Sequence, residues 1–97
     1  MLIRYKTYIF ILTFAIEQVL EDETSLEGVT KILYPDVAKK YNSTPQRVEK
    51  AIRHAIEVAW TDNVVELRRE FEDGKENRRP TNSEFISRIS TYIKMTA

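Results

Sequence analysis

The chain contains no cysteine, which removes disulfides, thiolate nucleophiles and cysteine–zinc sites from consideration. The same absence suits a reducing compartment, so the cytoplasm is the expected location. There is a single histidine, His54, and hence no histidine pair to hold a metal. No glycine-rich phosphate loop is present. Neither a cofactor nor a metal is expected, and with no nucleophile–base set the chain does not read as an enzyme. Two glycines and three prolines in 97 residues leave little room for long loops or many β-turns, and helix formers dominate. Basic and acidic residues balance at 15 each, which argues against indiscriminate attraction to polyanions. The apolar run from Tyr8 to Ile16 follows Arg4 and Lys6 in the manner of a signal peptide. No small-residue cleavage site follows it, and Glu17-Gln18 end it well short of the roughly 20 apolar residues that cross a bilayer. No membrane partner is therefore expected. Internal repeats, low-complexity tracts and long heptad runs are also missing.

What is present is helical patterning and an uneven distribution of charge. The length fits one domain, residues 1–97, with a modest core. Glu17, Glu21, Asp22, Glu23 and Glu27 form an acidic block, whereas Val37 to Ile56 holds Lys39, Lys40, Arg47, Lys50 and Arg53 against Glu49 alone. A neutral chain can thus carry a basic face. Apolar periodicity predicts a first helix over about residues 7–20, buried on more than one side. Thr24-Ser25-Leu26-Glu27 reads as a capping box opening a second helix with Val29, Ile32 and Leu33 as its apolar stripe. A fifth helix is expected from Val64, Leu67 and Phe71 up to Gly74, with a solvated polar face, followed by a basic loop containing Arg78 and Arg79. Thr81-Asn82-Ser83-Glu84 is a second capping box, opening a last helix over about 82–94 whose apolar positions are Phe85, Ile86, Ile89, Tyr92 and Ile93. The expected fold is an all-α, six-helix bundle.

The third and fourth of those helices carry the functional argument. Pro35 suits the first position of a short helix, Asn42-Ser43-Thr44 supplies turn and cap chemistry, and Pro45 behind Thr44 suits the start of a longer one. Placed about 100° apart, Val48, Ala51, Ile52, Ala55, Ile56, Val58, Ala59 and Trp60 fall on one face of the longer helix. Gln46, Arg47, Glu49, Lys50, Arg53, His54 and Glu57 fall on the other. Basic and amide groups in the first turns of a helix behind a short helix and a turn match a helix-turn-helix DNA reader, here Pro35–Tyr41 and Pro45–Trp60. The split also fits a solvated helix of an ordinary bundle. His54, beside Arg47 and Lys50, either donates to a phosphate or sits in solvent.

Leu33-Tyr34-Pro35-Asp36, Ala38 to Asn42, Arg47-Val48-Glu49, the run Ala51 to Trp60, and Pro80 to Ile86 together resemble the C-terminal effector domains of stage-zero sporulation protein A, a response-regulator transcription factor. The similarity spans roughly Tyr8 to Lys94 and is weakest before Gly28 and between Thr61 and Arg79. The resemblance implies a sequence-specific, duplex-DNA-binding regulator of transcription in sporulation, with the helix over 45–60 in the major groove. The implied target is a short asymmetric box, bound by a monomer from solution or by two domains in tandem. Position by position, Arg47, Glu49 and Arg53 match the family's DNA-contacting residues, and Lys50 stands where arginine is usual. The full set of expected DNA-binding residues is Gln46, Arg47, Glu49, Lys50, Arg53, His54, Lys39 and Lys40. RNA polymerase sigma factor is a second partner that the resemblance implies, although the segment concerned, Thr61 to Arg79, departs from the family pattern. The family's receiver domain is not found in this chain, which is expected to be either an excised domain or a stand-alone form. A stand-alone form would be a constitutive regulator or a competitor that occupies the boxes without activating. The alternative from another class is a helical protein-interaction module using the apolar first helix.

Overall fold

The computed structural model describes residues 2–61 and 79–96, with side chains from Thr7 onward. Among these residues all regular structure is helical. Four α-helices are present: α1 (Leu2–Glu21), α2 (Tyr34–Lys40), α3 (Pro45–Thr61) and α4 (Asn82–Thr96). Between α1 and α2 the chain makes a 3-10 segment, Glu23–Gly28, and a π-helical segment, Val29–Leu33. The all-α expectation therefore holds. The six-helix count is not reproduced among the described residues, and the helix expected after Trp60 lies outside them.

Local chemistry explains where each element starts and stops. The expected second helix is neither capped by Thr24 nor α-helical. Asp22 is the cap: its carboxylate accepts from the Thr24 N–H at 3.1 Å and the Thr24 hydroxyl at 2.6 Å. At Gly28 the backbone leaves helical geometry (φ −143°, ψ 65°), which separates the 3-10 turn from the π turn. α2 carries Pro35 in its first turn, as its missing N–H allows. It ends in a Schellman closure. Asn42 takes a left-handed φ of 51°, which asparagine tolerates better than most residues, while Ser43 N donates to Ala38 O at 2.8 Å and Asn42 N to Lys39 O at 3.4 Å. Two residues later Thr44 caps α3, its hydroxyl accepting from Arg47 N at 3.2 Å. The turn between the two helices is thus fixed by hydrogen bonds at both ends. The second capping box forms reciprocally, with Glu84 N donating to Thr81 Oγ1 at 3.2 Å and Thr81 N to Glu84 Oε1 at 2.8 Å.

The core is shared by every helix. Ile11, Ala15 and Val19, four residues apart on α1, meet Leu33, Val37 and Ala38, then Val48, Ala51, Ile52 and Ile56 of α3, and Phe85 and Ile86 of α4. α1 crosses both α3 and α4, and α2 packs on α3. The small residues Ala15, Ala51 and Ala55 let the helices approach closely. Two expectations about burial need correction. α1 begins at Leu2 and is buried along one stripe, leaving Ile9 and Phe10 exposed, Phe10 by 56%. Phe14, by contrast, packs edge-on to Tyr41 at 5.9 Å, with Lys40 Nζ 5.7 Å from its ring centre. In α4, Tyr92 and Ile93 face outward, while Ser90 is buried in their place. The helix has passed the end of the core by that turn, so its apolar stripe has nothing described to cover it.

Candidate nucleic-acid interface

α3 presents its polar face because most of its other face is committed to the core, with Val58 and Ala59 half-buried. Val48, Ala51, Ile52, Ala55, Ile56 and Trp60 are buried, whereas Gln46, Arg47, Lys50, Arg53, His54 and Glu57 are exposed. The exposed side forms one wall of an open groove of about 890 Å³. Arg47, Lys50, Arg53, His54 and Glu57 of α3 line it, with Thr7 and Tyr8 of α1 opposite and Arg79 at one end. Four cations therefore share this groove with a single carboxylate. Glu57 binds Arg79 Nη1 at 2.6 Å and lies 3.9 Å from His54 Nδ1. The His54 ring is held edge-on against Tyr8, with centroids 4.7 Å apart, so it stands between the basic face and α1.

Glu49 has a different environment. It is half-buried on the flank of α3 and lines a second cleft of about 370 Å³ with Tyr34, Arg53, Ile56, Arg79 and the start of α4. Its carboxylate lies 3.5 Å from Arg53 Nε. Asn82 Nδ2, from the first residue of α4, donates to the Tyr34 hydroxyl at 2.9 Å and to the Glu49 carbonyl at 3.2 Å, with Glu49 Oε2 at 3.5 Å. Burial pushes the Tyr34 hydroxyl pKa above its ordinary value, against the opposing pull of the Asn82 hydrogen bond. Tyr34 accordingly stays neutral and accepts from the amide.

Of the eight residues expected from sequence, Arg47, Lys50, Arg53 and His54 are brought together in the groove. Gln46 is exposed in the first turn of α3 and Glu49 stands at the second cleft. Lys39 and Lys40 occupy the exposed last turn of α2 and do not line the groove. Sequence reasoning gave no role to Tyr8, Tyr34 or Asn82. Tyr8 read as one more apolar residue of α1, and Asn82 read as part of a cap that Thr81 and Glu84 complete without it.

Among the described residues no helix is long and apolar enough to cross a membrane. A sequence model of the family described as "Sporulation initiation factor Spo0A C terminal" matches residues 3–93. That stretch includes both helices of the helix-turn-helix, the groove and the second cleft. Such domains are the DNA-binding effector parts of a sporulation transcription regulator, not an enzyme family. The chain belongs to the family of sporulation initiation factor Spo0A C-terminal domains.

Proposed function

We propose that this chain, as one domain over residues 1–97, reads duplex DNA by laying α3 in the major groove. The observation that carries the reading is the convergence of Arg47, Lys50, Arg53 and Arg79 along one groove, on the exposed side of a helix whose other side is core. An α-helix fits the major groove, and side chains from its first turns reach base edges. Gln46, Lys50 and Arg53 are the candidates for base contact, and Arg47, Arg79, Lys39 and Lys40 for phosphates that set register. His54, edge-on against Tyr8, stiffens the wall of the groove and adds a donor near the backbone. The protein acts in the cytoplasm, as a monomer in solution that pairs in tandem on adjacent boxes. Activation through RNA polymerase sigma factor would use the segment at 61–79, most of which lies outside the described residues. The divergence of that segment from the family pattern favours a regulator or competitor that activates weakly by itself.

Fluorescence anisotropy with box-containing and scrambled duplexes tests the central reading. Affinity should fall with salt with a log–log slope of about −0.9 for each phosphate contact, so about −3.6 for four. A preference for the box of tenfold or more is expected at moderate salt. Equal binding to both duplexes refutes sequence reading. One observation favours a second reading, a protein partner on α1: Ile9 and Phe10 are exposed side by side on that helix.

A further inference from the structure

We infer that Asn82 is a positioning residue for the DNA-reading helix: its side-chain amide ties α2, α3 and α4 at one point and sets the placement of α3 and the direction of Arg53. The inference rests on the reading of α3 as the DNA-reading helix. Asn82 Nδ2 reaches the Tyr34 hydroxyl at 2.9 Å and the Glu49 carbonyl at 3.2 Å. An amide nitrogen carries two hydrogens, and both are used. The Glu49 carbonyl belongs to the second turn of α3, between the candidate base-reading positions Gln46 and Arg53. In an α-helix this carbonyl already accepts from the N–H four residues on, so Asn82 takes its second lone pair and grips the helix by its main chain. Tyr34 is 6% exposed and sits at the start of α2. One amide therefore fixes both helices of the helix-turn-helix against α4.

Three features separate this role from ordinary helix capping. The reciprocal Thr81–Glu84 box opens α4 without any contribution from the Asn82 side chain. The Asn82 side chain points across to residues 33 and 48 positions away in sequence, and its site is partly buried. Finally, the amide also stands 3.5 Å from Glu49 Oε2, the oxygen that lies 3.5 Å from Arg53 Nε. Each of these last two contacts is long, so neither alone would hold Arg53. Together they bias the Glu49 carboxylate toward the cleft and aim the Arg53 guanidinium along α3. Glu49 then serves specificity by steering a basic neighbour, whichever base lies opposite it.

Two substitutions isolate the clamp. Asn82→Ala removes both donors while keeping a good helix former in the first turn of α4. Tyr34→Phe removes only the hydroxyl. Thr81→Ala is the structural control, because it breaks the cap and leaves the amide. The first readout needs no DNA: the Arg53 Nε–H resonance in a proton–nitrogen correlation spectrum of the whole protein. Asn82→Ala should move it toward the position of a freely rotating arginine and speed its exchange several-fold, whereas Thr81→Ala should leave it in place. An unmoved resonance in Asn82→Ala overturns the proposal. The second readout is the ratio of box to scrambled-duplex affinity, taken well below the melting temperature of every variant. Asn82→Ala should lower that ratio at least threefold with scrambled-duplex affinity unchanged, and Tyr34→Phe should lower it less. Thr81→Ala should lower melting temperature without changing the ratio. If the Arg53 resonance moves but the ratio holds, the amide does not set specificity and the inference fails. If the parent itself shows no box preference, the reading of α3 fails instead, and the resonance still decides whether Asn82 positions Arg53.

Discussion

Ile52→Ala and Lys50→Ala alter positions two residues apart on α3 and should have opposite consequences. The Ile52 side chain is fully buried, at 0% exposure, within the cluster formed by α1, α2, α3 and α4. Its truncation removes three carbons, each contributing about 0.8 kcal/mol when buried. The transfer term is therefore about 2.4 kcal/mol, and the cavity left in a core shared by four helices raises the loss to about 3–4 kcal/mol. For a domain of this size, each kcal/mol shifts the melting temperature by roughly 4–8 °C, so a fall on the order of 15 °C or more is expected. Lys50 is exposed, and its replacement should change stability by less than about 0.5 kcal/mol. Its loss should instead weaken DNA binding and reduce the salt slope by about 1 if it meets a phosphate. Thermal unfolding followed by circular dichroism measures the first effect, and anisotropy titrations across salt measure the second. A fall of less than 5 °C for Ile52→Ala, or a destabilised Lys50→Ala with unaltered DNA affinity, would show that the two faces of α3 have been assigned the wrong way round.

Thr44→Ala should cost about 1 kcal/mol, because Arg47 N loses its acceptor at the start of α3; urea midpoints of parent and variant measure it. The Asp22 carboxylate is held below its ordinary pKa of 3.8 by the Thr24 hydroxyl and then the Thr24 N–H. Its contribution is therefore present above pH 3.8 and is lost as the pH falls through the lower folded-state value; Asp22→Asn should flatten that part of the stability curve in acid-range urea titrations. Glu57→Gln removes the carboxylate that shares the groove with Arg47, Lys50, Arg53 and Arg79, so duplex binding at low salt should tighten a few-fold. Weaker binding in that anisotropy assay would show that Glu57 is needed to hold Arg79. Lys50→Arg should sharpen base preference at one or two adjacent box positions, since the planar fork of a guanidinium holds guanine O6 and N7 together more firmly than a mobile ammonium does. Superimposable preferences in selections from a randomised duplex library would make Lys50 a backbone contact.

The division of α3 into core and exposed faces was legible because helical periodicity is a local property, and Val48, Ala51, Ile52, Ala55 and Ile56 obey it without interruption. The turn at Asn42-Ser43-Thr44 was legible for a similar reason, since its cap chemistry needs only neighbouring residues. Legibility fails where the outcome depends on what a helix meets. Phe10 and Tyr92 belong to the apolar patterns of α1 and α4, yet Phe10 falls off the buried stripe beside Ile11 and Tyr92 lies past the end of the described core. Thr24 resembles a cap, but Asp22 two residues earlier offers a stronger acceptor and wins. His54 shared the polar face in the sequence, and nothing local revealed that Tyr8 would meet its ring edge-on. Asn82, Tyr34 and Glu49 come from three helices, and only the tertiary fold brings them within hydrogen-bonding distance.

A net-neutral protein that binds a polyanion must gather its cations on one surface, and on the proposed reading the two clefts along α3 divide that task. In the larger groove Arg47, Lys50, Arg53 and Arg79 outnumber the one carboxylate, Glu57, so the groove is locally cationic although the formal net charge of the chain is zero. In the smaller cleft the second carboxylate of the helix, Glu49, lies 3.5 Å from the Asn82 amide, which also donates to the Tyr34 hydroxyl. Arg53 and Arg79 line both clefts and so join the attracting surface to the fixed one. Exposed ion pairs are weak and screened, and the Glu49–Arg53 pair taken alone would fix little. On the proposal made for Asn82, the Glu49 end of that pair is anchored through the amide to a buried tyrosine and a main-chain carbonyl, contacts that salt screens far less. On this argument raising the salt should erode the affinity of the groove for any duplex before it erodes discrimination between duplexes, because attraction depends on exposed charge and aim depends on packing.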